Sequence, residues 1–107
     1  MGEPVLDMSD IIGFYKEDAR RMIGSMRAAL ARWNEFATGG AARKELRRLS
    51  HQLRGSGRTY GFCDVTRVSK ALEQIILSLD KQTLAADDRV KRSVTEKIDR
   101  LAHIFQR

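Results

Sequence analysis

One histidine lies among cations in a pattern that suits nucleophilic chemistry. His51 falls in a helix-forming segment whose apolar side is marked by Leu46 and Leu53. At about 100° per residue, His51 points away from that side, and the residues around it on the polar side are Lys44, Arg47, Arg48, Arg54 and Arg58. Nearby positive charge disfavours the imidazolium and keeps a neutral, nucleophilic nitrogen available. The same cations would stabilise a phosphoryl group bound to that nitrogen.

Gly55 stands one helical turn after His51, on the same polar side. A glycine inside a helix costs about 0.5–1 kcal/mol relative to alanine, and no core packing offsets that cost on a polar side. Its lack of a side chain would leave room for a bulky partner to reach the imidazole. Gly57 lies towards the apolar side, where it indicates close packing of two helices. We therefore interpret Gly55 as a residue that keeps access to His51 open.

Four amphipathic helices are predicted to position these residues. Apolar side chains recur every three or four positions in four segments, Ser9 to Phe36, Ala42 to Tyr60, Val65 to Leu79, and Val90 to Phe105. Short connections favour antiparallel neighbours, so we expect an all-α, up-down-up-down four-helix bundle forming one domain over residues 1–107. The break from Asp80 to Ala86 argues against a three-helix alternative that merges the last two segments.

Residues at the ends of these segments predict where each helix begins and ends. The predicted N-caps are Ser9 or Asp10 for the first helix and Cys63 or Asp64 for the third, while Asp87-Asp88 precede the fourth. The predicted stops are Gly39-Gly40 and Gly61, which can adopt the left-handed conformation. A short N-terminal segment with Val5, Leu6 and Met8 would cover one end of the bundle.

Composition narrows the classes of protein to consider. The 107 residues carry 20 basic and 14 acidic side chains, a net charge of +6, which favours an acidic partner. The longest apolar run, Ile75 to Leu77, is far shorter than the roughly 20 residues that span a bilayer. The single cysteine, Cys63, forms neither an internal disulfide nor a zinc motif. We expect a cytoplasmic monomer that binds no membrane.

The segment from His51 to Gly61 resembles the signature of histidine-containing phosphotransfer (HPt) domains. Its sequence is HQLRGSGRTYG, with an apolar residue two positions after the histidine, a basic residue at three, glycine at four and a second glycine at ten. The continuation through Val65, Val68 and Leu72-Glu73 resembles the following helix of that family. The resemblance covers nearly the whole chain, because HPt domains have about this length and fold as four-helix bundles.

The resemblance implies a role for each matching residue. His51 would accept a phosphoryl group from an aspartyl phosphate on a receiver domain and pass it to another receiver. Arg54 replaces the lysine usual in the family, which keeps the charge but changes its geometry. Gly55 matches the glycine that clears space beside the ring. Arg58 departs from the small residue usual there, and it either binds phosphate, selects a partner or narrows access.

The resemblance also implies the partners and the absence of catalytic machinery. The partners would be response-regulator receiver domains and a hybrid histidine kinase, and the receiver would supply the magnesium ion. This chain would be a phosphocarrier, not an enzyme, with no cofactor and no metal site of its own. Lys44, Arg47 and Arg48 either dock the partner or form an ordinary solvated face.

Three other interpretations of the sequence remain open. The arginines around His51 can contact nucleic-acid phosphates, although no turn-and-recognition-helix pair is evident and Gly55 would be unexplained. The second interpretation is a small protein-interaction module. The third, a dimerisation helix pair of a histidine kinase, would carry an acidic residue where Gln52 stands. His103 and Cys63 are interpreted as a solvated and a structural residue.

Overall fold

The computed structural model describes residues 7–106 and contains five α-helices. They are α1 (Met8–Ala31), α2 (Trp33–Ala37), α3 (Ala41–Tyr60), α4 (Cys63–Asp80) and α5 (Asp88–Ile104). No strand occurs between residues 7 and 106. The predicted all-α class is confirmed, with four long helices and one short one.

The four long helices form an antiparallel ring around one core. Helix α1 packs on α3 and α5, and α4 also packs on α3 and α5. Contacts between α3 and α4 join Arg43 to Asp80 and His51 to Glu73, so the numbering rises in one helix as it falls in the other. Arg20 and Arg27 of α1 contact Phe105 and Asp99, respectively, so α1 and α5 also run in opposite directions. The up-down-up-down bundle predicted from the sequence is therefore confirmed.

The first predicted helix is interrupted, which corrects the expectation of one helix from Ser9 to Phe36. Arg32 leaves the helical conformation, with φ −86° and ψ 58°, and separates α1 from α2. After this break, Phe36 is completely buried and stacks on Trp33 with ring centroids 5.4 Å apart. The predicted stop is confirmed, because Gly39 has φ 81° and the Gly40 N–H donates to the Glu35 carbonyl at 2.9 Å.

Arg43 ties the short helix to the rest of the bundle. Its side chain is largely buried, and its Nε and Nη2 donate to the carbonyls of Phe36 and Ala37 at 2.8 and 2.7 Å. Its Nη1 reaches Asp80 of α4 at 3.2 Å. One guanidinium group thus satisfies carbonyls at the end of α2 and links that end to α3 and α4.

Two predicted N-caps differ in the structure. Asp7, not Ser9 or Asp10, caps α1, because its carboxylate accepts from the Asp10 N–H at 3.0 Å. The Asp10 carboxylate in turn accepts from the Asp7 N–H, which completes a capping box. Helix α4 begins at Cys63 itself, its N-cap residue is Phe62, and no side chain caps it. Asp87 caps α5 through the Val90 N–H at 3.0 Å.

The sequence predicts that Val5, Leu6 and Met8 cover one end of the bundle, but Met8, which the structure describes, does not do so. Met8 is 68% exposed, while Val5 and Leu6 lie outside the described residues. The nearby end of the bundle is filled by aromatic rings instead, since Tyr15 packs against Tyr60 and Phe105. Within residues 7–106, every helix is too short or too polar to cross a bilayer.

Candidate functional site

His51 lies in the middle of α3 with its side chain 72% exposed, as its place on the helical wheel predicts. One ring nitrogen is not free, because Nδ1 lies 2.9 Å from Oε1 of Glu73 on α4. An ionised carboxylate can only accept a hydrogen bond, so Nδ1 carries the proton in this contact. The other nitrogen, Nε2, then holds the lone pair of a neutral ring. An exposed imidazole with a fixed tautomer is suited to act as a nucleophile.

Glu73 is a largely buried carboxylate held by two partners. Its side chain is only 10% exposed, and its second oxygen, Oε2, accepts from Nη1 of Arg54 at 3.1 Å. Burial by itself would raise the pKa of Glu73, but the hydrogen bonds from His51 and Arg54 outweigh burial and hold that pKa below its usual range. Glu73 is therefore ionised at neutral pH and accepts the hydrogen bond from Nδ1.

Close packing of α3 on α4 places Glu73 opposite His51. A Cβ added at Gly57 would come within 2.8 Å of Thr66 Oγ1 and 3.1 Å of the Thr66 backbone nitrogen, so only glycine fits there. The Thr66 hydroxyl donates to the Arg54 carbonyl at 3.3 Å. The interpretation of Gly57 as a helix-packing residue is confirmed, and this close approach belongs to the same α3–α4 interface that brings Glu73 to the imidazole.

Gly55 faces open space. A Cβ built at this position meets no atom within 4 Å, and the residue is exposed. Packing within residues 7–106 therefore does not require glycine here. This leaves room beside His51, as the access interpretation needs.

His51 borders two surface hollows, one on each side. The first, of about 650 Å³, is lined by Gly39, Lys44, Arg47, Arg48, His51, Glu73 and Asp80. The second, of about 610 Å³, is lined by His51, Arg54, Gly55, Gly57, Arg58, Gly61, Cys63, Thr66 and Lys70. All the cations predicted for the site thus lie beside one of these two hollows, together with the imidazole.

Several of the predicted cations have acidic partners. Arg47 lies 3.7 Å from Asp80, and Arg48 lies 2.7 Å from Glu45 within its own helix. Arg54 is bound to Glu73. Within the described part of the chain, Lys44 and Arg58 make no ion pair, and both are exposed.

Two residues beside His51 were not singled out from the sequence. In the sequence, Glu73 is only part of the matching helix of the family, and Lys70 belongs to no predicted site. Their signal is the spacing of Thr66, Lys70 and Glu73 on α4, at intervals of four and three residues, which forms a polar stripe beside the apolar one. The stripe can be assigned to the site only when the register of α4 against α3 is known, because the register decides which α4 residues lie beside His51.

The remaining candidates lie apart from His51 or lack a partner. His103 is exposed and lines a different hollow between α4 and α5. Cys63 is exposed at the start of α4 and lines the second hollow. Among residues 7–106, no three histidine, cysteine or acidic side chains are grouped so that they could hold a metal ion.

Comparisons with known proteins identify the family of this bundle. Neither the curated proteins nor the solved structures gave a significant match. The model of one family, described as the Hpt domain, matches residues 10–104 and therefore most of the chain. Hpt domains are phosphocarrier modules that transfer phosphoryl groups through a histidine in phosphorelays. The chain belongs to the Hpt domain family.

Proposed function

We propose that His51 is the phosphorylated histidine of this chain. In this proposal, Nε2 accepts a phosphoryl group from an aspartyl phosphate on a receiver domain and later passes it to a second receiver. The observation that carries the proposal is the exposed imidazole whose Nδ1 is bound by the buried carboxylate of Glu73 at 2.9 Å. His103, the other histidine, lines a hollow away from His51.

The contact with Glu73 supports the chemistry of transfer. The Nε2 lone pair forms a bond to phosphorus, the bond from phosphorus to the aspartyl oxygen breaks, and its electron pair stays on the receiver's carboxylate. Positive charge develops on the imidazole as the new bond forms, and the ionised Glu73 stabilises it through Nδ1–H. Return of the group to a second receiver reverses these bond changes.

The neighbouring residues would hold the phosphoryl group and the partner. Arg54 uses Nη1 for Glu73, which leaves its other donors for phosphoryl oxygens. Arg58 lines the second hollow together with His51 and Arg54, and the open space at Gly55 lets the receiver approach.

The cations of the first hollow would bind the partner. Lys44, Arg47 and Arg48 would dock an acidic receiver surface. The receiver would bring its own magnesium ion, so this chain needs no cofactor. A hybrid histidine kinase would supply the phosphorylated receiver in the cytoplasm.

Phosphoryl transfer from purified receiver domains tests this proposal. Receivers labelled on aspartate with radioactive phosphate are mixed with the chain for a single turnover. We expect the label to move to this chain and to be acid-labile but base-stable, as expected for phosphohistidine. The panel of receivers includes those of hybrid kinases. If every receiver loses its label only to water and none labels this chain, the proposal is contradicted.

A further inference from the structure

The two hollows beside His51 differ in the charges that line them. The first has three cations but also two carboxylates, Glu73 and Asp80. The second has three cations, Arg54, Arg58 and Lys70, and no carboxylate among its lining residues. A phosphoryl dianion would be repelled by the acids of the first hollow and attracted by the second. The second hollow is also the one that Gly55 leaves open.

Lys70 reaches this hollow from α4. It lines the second hollow together with Thr66, and along α4 it falls between Thr66 and Glu73, four residues after the first and three before the second. Thr66 is bonded to the Arg54 carbonyl and Glu73 to His51, so Lys70 lies between two contacts that join α4 to α3. Its position along the bundle therefore matches the segment of α3 that holds His51 and Arg54.

The charge of Lys70 is not neutralised within the described chain. Lys70 is exposed, and no carboxylate of residues 7–106 forms an ion pair with it. Arg67, three residues earlier on α4, pairs with Asp64 at 2.9 Å and lines the hollow on the α5 side. The two cations on this helix thus differ in both direction and pairing, which makes Arg67 a matched control.

We propose that Lys70 is a phosphoryl-binding residue, and that the phosphoryl group on His51 is held in the second hollow. This inference rests on the proposed function of His51. The lysine ammonium group donates to phosphoryl oxygens from the α4 side, while Arg54 and Arg58 donate from α3. Arg54 is already shared with Glu73, so Lys70 supplies charge that is not committed elsewhere.

Phosphoramidate is the probe for this role, because it phosphorylates histidine without a receiver domain. The His51 Nε2 forms a bond to phosphorus, the phosphorus–nitrogen bond of phosphoramidate breaks, and ammonia leaves with that electron pair. The measured quantities are the rate of labelling at His51 and the lifetime of the phosphohistidine formed. Neither quantity includes docking of a receiver.

Three variants of the full chain are compared with the wild type. We expect Lys70→Gln to slow labelling about three- to tenfold, since one charge-assisted contact is lost at an exposed site. Lys70→Arg should recover most of the rate. Arg67→Gln removes the same charge from the same helix and should stay within about twofold of the wild type. Thermal melts of all four proteins exclude an effect of misfolding.

The outcomes separate this inference from the proposed function. Equal labelling rates for Lys70→Gln and Arg67→Gln, whether both fast or both slow, would overturn the role of Lys70, because only net charge would then matter. That result would leave transfer from receivers to His51 untouched. Conversely, wild-type protein that reacts with phosphoramidate in a Lys70-dependent way but never with a receiver would contradict the proposed function alone.

Discussion

At the scale of single residues, Glu73 connects the fold to the chemistry of His51. A carboxylate that is mostly removed from water is unfavourable unless hydrogen bonds satisfy it. Here Arg54 and the imidazole supply those bonds, at 3.1 and 2.9 Å. The same contacts fix which ring nitrogen carries the proton. Stability of the α3–α4 contact and reactivity of His51 therefore depend on one side chain.

The pKa of Glu73 predicts how stability changes with pH. Although burial acts to raise it, the bonds from His51 and Arg54 lower this pKa below the ordinary value of 4.5. A carboxyl group whose pKa is lowered by folding stabilises the protein above its unfolded pKa and loses that contribution as pH falls through its folded pKa. We expect the wild type to lose stability relative to Glu73→Gln as the pH falls from about 5 towards about 2. Urea unfolding across this range measures the difference, and a constant difference would contradict the ionised pair.

Substitutions of Gly55 should change stability and phosphotransfer activity in opposite directions. Its Cβ position is open, so Gly55→Ala should stabilise the fold by up to about 1 kcal/mol through helix propensity alone. Single-turnover transfer from a phosphorylated receiver should nevertheless slow, and Gly55→Leu should slow it further by crowding the approach to Nε2. Equal transfer rates for glycine, alanine and leucine would remove the access role.

Gly57 provides the matched control for this series. It lies two residues further along α3, but its added Cβ would meet Thr66 Oγ1 at 2.8 Å. Gly57→Ala should therefore lower the melting temperature, whereas Gly55→Ala should raise it. Both substitutions are the same change in the same helix, so the contrast isolates the contact with α4.

Residue types and helical spacing were sufficient to place His51, Gly55 and Gly57 on their faces of α3. They were not sufficient to find the bond between His51 and Glu73, which lie 22 positions apart on different helices. That bond depends on the register of α4 against α3. The close approach of Gly57 to Thr66 is one contact of that register, and no periodicity within one helix reports it. The roles of Arg54, Arg58 and the docking cations remain predictions.

At the scale of elements, a side chain from α3 holds the end of α2. Arg43 donates to two α2 carbonyls and pairs with Asp80 of α4. We expect Arg43→Ala to reduce the free energy of unfolding by about 2–4 kcal/mol, because buried acceptors lose their donors. Arg47→Ala removes the exposed partner of the same Asp80 and should cost less than about 1 kcal/mol. Chemical denaturation measures both, and equal losses would contradict the buried role of Arg43.

The break between α1 and α2 shows why element boundaries were harder to predict than elements. Trp33 and Phe36 continue the three- and four-residue spacing of α1, so the pattern indicates one uninterrupted helix. Burial of Phe36 and the carbonyl bonds of Arg43 accompany the break at Arg32. Both are tertiary contacts. The stop at Gly39-Gly40 was predictable, because it depends on local backbone conformation.

At the scale of the whole molecule, the net charge of +6 predicts salt-dependent transfer. Long-range attraction to an acidic receiver speeds encounter, and salt screens it. The second-order rate of transfer should fall as ionic strength rises from about 0.05 to 0.5 M. Lys44→Glu should lower that rate more than Arg92→Glu, which makes the same change of charge on α5. Stopped-flow or rapid-quench kinetics at limiting receiver concentration measure this effect.

Two controls define what the salt dependence means. Labelling by phosphoramidate requires no docking, so Lys44→Glu should leave its rate nearly unchanged. Titration with duplex DNA at moderate salt tests the nucleic-acid interpretation, which would gain support from tight binding. A transfer rate indifferent to salt and to Lys44 would show that this face is only solvated.

Phosphorylation of His51 is tested by comparing the chain's two histidines, His51 and His103. A phosphorylated receiver that labels the wild type is mixed with His51→Gln and with His103→Gln, and the label on each chain is followed through a single turnover. We expect no label on His51→Gln and an undiminished label on His103→Gln. His103→Gln should melt close to the wild type, while His51→Gln should stay folded although Glu73 loses the hydrogen bond from the imidazole. Label retained by a folded His51→Gln protein would show that another residue accepts the phosphoryl group.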